Sequence, residues 1–387
     1  VFRISLLLIA GVLITLTGCI ERYYPDEEDL NTGILVVVAH IDDRPGLQTI
    51  NLSRSVNMSD ASYVPVPDCY VQVTRSDGSL LVFEEQEAGT YNAMPDGIFL
   101  HSGADYKLVI ITPGGKQYES EFEKLHPAPD IESVYYTVEQ VPTADPAIID
   151  EGIQFYLDFE IEKDSGRFLQ WELIETYEIQ NPDYPTIEYG RDRRWRDVPD
   201  SAKFLTCWIT NLIPFIYTLD LGNVEGTKYT RMPVNFVSVN SRRLYHRYSL
   251  LVRQFALSEK AFWYWNELKK NVQSKGGLFD TQPALTPSNI CNIDDENEMV
   301  IGYFSVSGCS EKRVFVDEAP GLEINRNPDI CAPGIFPMYI HKYPASKLPL
   351  YIATAVINGI TVAGEVEYEC VDCREYKNST SIKPDFW

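Results

Sequence analysis

From Cys69 to Glu85 the chain reads CYVQVTRSDGSLLVFEE, a pattern that folds back on itself. Tyr70 to Thr74 alternate apolar and polar, Ser76-Asp77-Gly78 supplies turn chemistry, and Leu80 to Phe83 return. A period of two puts one set of side chains on a buried face, which fits a strand and not a helical stripe. YKLVIITPGGKQYESEF, at 106–122, repeats the device through Pro113-Gly114-Gly115. Ahead of both lie ILVVVAHI (34–41), a continuous apolar run, and LQTINLSRS (47–55). In the latter, Leu47 falls out of phase with Ile50 and Leu52, which predicts a bulge. Short strands with no helix between them predict an Ig-like β-sandwich over 33–126. The prolines of LHPAPD (125–130) end it, and 127–149 reads as a linker.

Residues 150–387 predict a larger β-rich (α+β) domain. IQFYLDFEIE (153–162) alternates, and Asp164-Ser165-Gly166 predicts a hairpin into RFLQWELIETYEI (167–179). After a polar excursion from 181 to 201, strands are expected at FLTCWIT, FIYTLDL, RRLYHRYSLLVRQFAL, MVIGYFSVSG and KRVFV. One helix is predicted over 259–274, with Ser258 as N-cap and Glu259 in the first turn. Phe262, Trp265, Leu268 and Val272 form its apolar stripe, and Gly276 follows as a stop. Trp263 and Tyr264 lie off that stripe, to cover a loop or to meet a partner.

The amino-terminal residues speak to location. Ile4 to Gly18 carry no charge and follow Arg3, the layout of a signal peptide over 1–18. The stretch is shorter than the roughly 20 residues of a membrane-spanning helix. Leu16-Thr17-Gly18-Cys19 looks like a bacterial lipobox, which implies lipidation of Cys19 and attachment to the outer membrane through its acyl chains. Residues 19–32 then read as an acidic tether, with Asp26-Glu27-Glu28-Asp29 resembling the export tag of surface-facing Bacteroidota lipoproteins.

The net charge of −23 would be repelled by phosphate backbones, which excludes nucleic acid as a partner class. Five histidines (His40, His101, His126, His246, His341) show no metal-ligand spacing, and no nucleotide or hydrolase motif occurs. No cofactor is expected. Asp294, Asp295 and Glu296 are a candidate Ca²⁺ site, though the stretch lacks the central glycine of an EF-hand loop and reads more readily as a solvated hairpin turn. In RDRRWRD (191–197), Arg193, Arg194 and Trp195 are candidates for binding a carboxylate-bearing ligand. Docking against the protein's own acidic surface is the other reading.

VRQFALSEKAFWYWNELKKN, GGLFDTQPALTPSNI, VIGYFSVSGCSEKRVFV and the ending CVDCREYKNSTSIKPDFW together resemble a Bacteroidota family of outer-membrane lipoproteins, a domain of unknown function. The resemblance covers nearly the whole chain after Cys19. It implies an accessory role beside starch-utilisation-type (SusC/SusD-like) TonB-dependent transporters, in which a barrel is paired with a lid lipoprotein. No catalytic set comes with it. Seven cysteines follow Cys19, an odd number, so at least one is left over. Cys69 and Cys309 fall outside the family pattern, leaving Cys207, Cys291, Cys331, Cys370 and Cys373 as disulfide candidates whose pairing the spacing does not fix.

The function expected is non-catalytic capture of a peptide or glycan on the cell surface. A surface hydrolase is the main alternative, and an adhesive or structural protein with an open sheet edge the second.

Overall fold

A computed structural model describes residues 33–56, 62–143, 149–199, 203–273, 286–317, 319, 321–324 and 331–387. The segment 1–18, Cys19 and the tether 19–32 lie outside the described residues, as does position 274 at the expected end of the helix. The chain is mainly β, with 51% of residues in strands.

The first sandwich follows the alternation. Tyr70–Arg75 pairs with Leu80–Glu87 in the register Val71↔Phe83 to Thr74↔Leu80, and Asp105–Ile111 pairs with Gln117–Ser120. Val71, Val73, Phe83, Leu108 and Tyr118 point into the core, while Tyr70, Leu80 and Val82 remain exposed. The opposing sheet holds Leu35–Asp42, Gln48–Arg54 and Thr90–Ala93. Residues 35–39 and 50–54 pair in unbroken register, so the expected bulge is absent. Leu47 is out of phase because it lies before the strand, 57% exposed.

Residues 33–126 do not supply this whole core. Ile290, Val300, Phe304 and Val306 complete it from far downstream. The two strands expected in 299–316 are one, Val300–Val316, which runs through Gly308 without turning. Its first half pairs parallel with Leu35–Asp42, and its second half pairs antiparallel with Tyr248–Leu257. One strand therefore belongs to both halves of the molecule. At the crossing, a Cβ on Gly308 would lie 2.6 Å from the His126 carbonyl oxygen and 2.7 Å from the Ala128 nitrogen. The glycine admits the LHPAPD segment that passes over it.

The segment 127–149 is no linker along its length: it contains the strand Ile131–Pro142, which forms a hairpin with Ile149–Glu160. Prolines bound that strand without interrupting its IESVYYTVEQV pattern. Ile149–Glu160 does not pair with Phe168–Gln180, as the Asp164-Ser165-Gly166 turn had suggested; its other neighbour is Lys228–Ser238. The turn instead carries the chain from one sheet to the facing one. Ile153, Phe155, Leu157 and Phe159 meet Leu169, Trp171 and Leu173 across a second core, with the Phe159 and Trp171 rings 6.1 Å apart. Alternation thus predicted the buried faces correctly, but facing strands and paired strands share the same pattern.

The helix spans Glu259–Gln273, capped where the Ser258 hydroxyl accepts the Ala261 N–H at 3.1 Å. Its buried residues are Ala261 and Phe262, packed with Phe255, Leu257 and Tyr303. Val272, expected on the buried stripe, is 55% exposed, because the packing cluster engages the first turns of the helix. Tyr264 packs against Tyr303 at 4.8 Å, and Trp263 stands edge-on to Phe262.

Glu123 fastens this helix to the first sandwich. It is 2% exposed and accepts hydrogen bonds from the Tyr303 hydroxyl (2.6 Å), Asn289 (3.4 Å) and the Ser258 hydroxyl. Burial pushes its pKa up, against the pull of those donors and of Lys260. A carboxyl with a raised folded pKa contributes stability that is full below the unfolded pKa and lost as pH rises through the folded one. Relative to wild type, Glu123→Gln should therefore gain Tm steadily from acid to neutral pH. A Tm difference that stays flat over that range would mean Glu123 does not titrate differently on folding.

Candidate functional site

A small four-stranded sheet follows the second sandwich, in the order Trp195–Asp197, Thr186–Tyr189, Leu350–Ile357, Ile360–Val366. Asn358-Gly359 joins the last two strands, both residues at positive φ (50° and 77°), as a tight hairpin turn requires. At the open end of that hairpin, where Tyr351 pairs with Val366, lies a cleft of about 360 Å³. The 3₁₀ turns Ile340–Lys342 and Ala345–Lys347 bring Tyr343 and Lys347 to one wall. Glu365 and Glu367 line the cleft as well, and Tyr368 opens the turn Tyr368–Cys370.

Tyr351 and Tyr368 stack at 4.5 Å and 13°. Burial, with the nearby Glu188, Tyr368 and Glu375, pushes the Tyr351 hydroxyl up to about 12. Burial also raises Tyr368, helped by Asp372 and Glu375. Both phenols are protonated donors at neutral pH. Among the described residues, the side chains of Lys347, Glu365 and Glu367 make no hydrogen bond or ion pair with protein; Lys347 only approaches the Tyr343 ring, at 5.8 Å.

The arginine cluster builds the wall and does not line the cleft. Arg193 donates to the carbonyls of His341 and Tyr343, and Arg191 to that of Leu348 at 3.2 Å. Arg196 pairs with Asp192 (3.0 Å) and Glu188 (3.4 Å), while Arg194 remains exposed. Trp195 packs on Tyr189 at 4.9 Å and is 44% exposed. Backbone carbonyls, more than acidic side chains, hold these guanidiniums.

The disulfide Cys331–Cys370 packs among Val198, Ala353, Val366 and Val371, in a cluster that shares Val366 with the cleft lining. Cys207–Cys373 ties the same block to the second sandwich. Cys291, the fifth candidate, is exposed and has no thiol partner among the described residues. Its strand, Ile290–Asn292, pairs with Gln117–Ser120 on the first sandwich, apart from the four bridged cysteines.

Asp294, Asp295 and Glu296 are all exposed in a turn shaped by local hydrogen bonds: Asp294 N–H to Asn292 (2.9 Å) and Asn297 N–H to Asp295 (3.1 Å). Among the described residues no three His, Cys, Asp or Glu gather as metal ligands. Glu298, just beyond, anchors the turn to Lys116 (2.8 Å) and Tyr118 (2.8 Å). A second depression, of about 490 Å³, is lined by Asp130, Glu132, Glu160, Glu162 and Asp164, with Lys228 bound to Glu132 at 2.9 Å.

Among the described residues, His40 contacts two serine hydroxyls at the seam of the two sandwiches. His40 meets the Ser305 hydroxyl through Nδ1 (3.2 Å) and the Ser307 hydroxyl through Nε2 (3.0 Å), edge-on to Phe255. Both serines are almost fully buried, at 1% and 0% exposure, and the nearby Asp42 carboxylate is taken by Arg44 at 2.7 Å. Among the described residues no carboxylate hydrogen-bonds the imidazole, and the two hydroxyls are closed off from solvent.

The family described as Domain of unknown function (DUF4249) matches residues 20–313, well over half of the chain. The chain belongs to the DUF4249 family. No curated protein matches it. The DUF4249 match takes in most of both sandwiches and the Arg191–Asp197 buttress; it ends within the strand Val300–Val316, before Tyr343, Lys347, Tyr351 and Tyr368. Sequence reasoning passed over these cleft residues because they belong to no motif. The recoverable signal was the Asn358-Gly359 pair between two apolar runs, with tyrosines on both sides.

Among the described residues, no helix is long and apolar enough to cross a membrane.

Proposed function

We propose that this DUF4249 protein is a Bacteroidota lipoprotein, held at the outer face of the outer membrane by acyl chains on Cys19. There it acts without catalysis, as a ligand-capture subunit beside a TonB-dependent transporter of the starch-utilisation type and its lid lipoprotein. One observation carries the reading: an exposed apolar run stands next to an open tyrosine-lined cleft. Gly334 N–H bonds the Glu365 carbonyl at 3.0 Å, fixing the start of that run beside the cleft strand. Ile335, Met338 and Tyr339 are then 91%, 75% and 66% exposed, with Phe336 at 45%. Contiguous apolar surface of this kind marks contact with another protein. The cleft supplies the ligand site, and anchoring to the same membrane supplies a high effective concentration near the transporter.

The test is recovery of the lipidated protein, tagged after Trp387, from outer membranes in mild detergent. A barrel and its lid lipoprotein are expected in near-equal amount, with less recovered when Ile335 and Met338 are both changed to Ser. Isolation of the protein alone would overturn the accessory role.

A further inference from the structure

We infer that the cleft takes a short peptide in preference to a neutral glycan. The inference rests on the reading of the cleft as a capture site and deepens it. Its basis is the charge arrangement. Lys347, Glu365 and Glu367 all line the cleft and make no ion pair with the protein among the described residues. A neutral sugar seated between them would strip water from both signs of charge and return no countercharge. A peptide carries both signs: its carboxylate meets the ammonium of Lys347, and an amino terminus or basic side chain meets the glutamates.

The remaining groups fit the same ligand. The Tyr351 and Tyr368 phenols are protonated donors, the chemistry that a peptide's main-chain carbonyls accept. Their rings are already stacked, so little side-chain freedom is lost on binding. A volume of about 360 Å³ falls at the small end of ligand sites. The ligand is therefore a short segment, not a folded chain.

Calorimetry with the full chain decides this. The probes are the tetrapeptide Ala-Ala-Ala-Arg, its carboxyl-amidated form, maltotetraose and cellotetraose. The free tetrapeptide should bind, and amidation or Lys347→Met should weaken it about tenfold or more, as loss of a charge-assisted hydrogen bond implies. Glu365→Gln with Glu367→Gln should likewise weaken the free tetrapeptide. Lys347 and Glu367 are exposed, so their variants are expected to fold. Sugar binding without peptide binding would overturn the peptide inference and leave the capture reading standing. Binding of none of the four probes would overturn the inference as well. Peptide binding by a protein that pulls down no transporter would support the inference while refuting the accessory role.

Discussion

Replacing Cys331 and Cys370 together by alanine is expected to destabilise the cleft by about 4 kcal/mol, the loop-closure value for a 39-residue separation. The effect should be local. The bridge lies in a small cluster with Val198, Ala353, Val366, Cys370 and Val371, separate from the two sandwich cores. Residues 331–370 contain every cleft residue named above, and the bridge joins the two ends of that stretch. The double variant should therefore become sensitive to protease between 331 and 349 and lose peptide affinity, while far-ultraviolet circular dichroism of the sandwiches is kept. Unchanged affinity and unchanged protease resistance would show that the hairpin and the arginine buttress hold the cleft by themselves.

Gly308→Val is expected to cost about 3 kcal/mol, at the upper end for overpacked sites. The added Cβ would meet the His126 carbonyl, the Ala128 nitrogen and, at 3.0 Å, the Pro127 Cα. These are backbone atoms with no rotamer to change, and Gly308 N–H already bonds the His126 carbonyl at 2.8 Å. Relief therefore requires the crossing segment to lift, which strains both sandwiches at once. Gly114→Ala is the control: its Cβ meets nothing nearer than 4.0 Å, and the change should stay within about 0.5 kcal/mol. Equal midpoints for the two variants in denaturant unfolding would remove the crossing as a point of strength.

The strands and the helix start were legible because each is fixed locally. Alternation identifies a buried face, and Ser258 with Glu259 identifies a helix start, without reference to the rest of the chain. Partners were not legible. Ile153 to Phe159 alternate identically whether they pair with 168–180 or face it across a core, so the hairpin expected at Asp164-Ser165-Gly166 proved to be a crossing between sheets. Gly308 followed the same rule. In sequence it resembled a break between two strands, yet its missing side chain serves the approach of a segment some 180 residues earlier, as the Ile131–Ser310 contact shows. The cleft was least legible of all. Lys347 and Glu365 are ordinary surface residues until a hairpin and two short 3₁₀ turns bring them to one cleft.

The strand shared by the two halves also has a mechanical meaning. Leu35–Asp42 lies parallel to its first half, in the register Leu35↔Val300 to Asp42↔Ser307. A load that enters ahead of Leu35 and leaves through the second half of that strand draws the two strands lengthwise past each other. The hydrogen bonds between them then stretch together, in shear, and are not opened one by one. Under the proposed anchoring at Cys19, this is the geometry that resists being pulled.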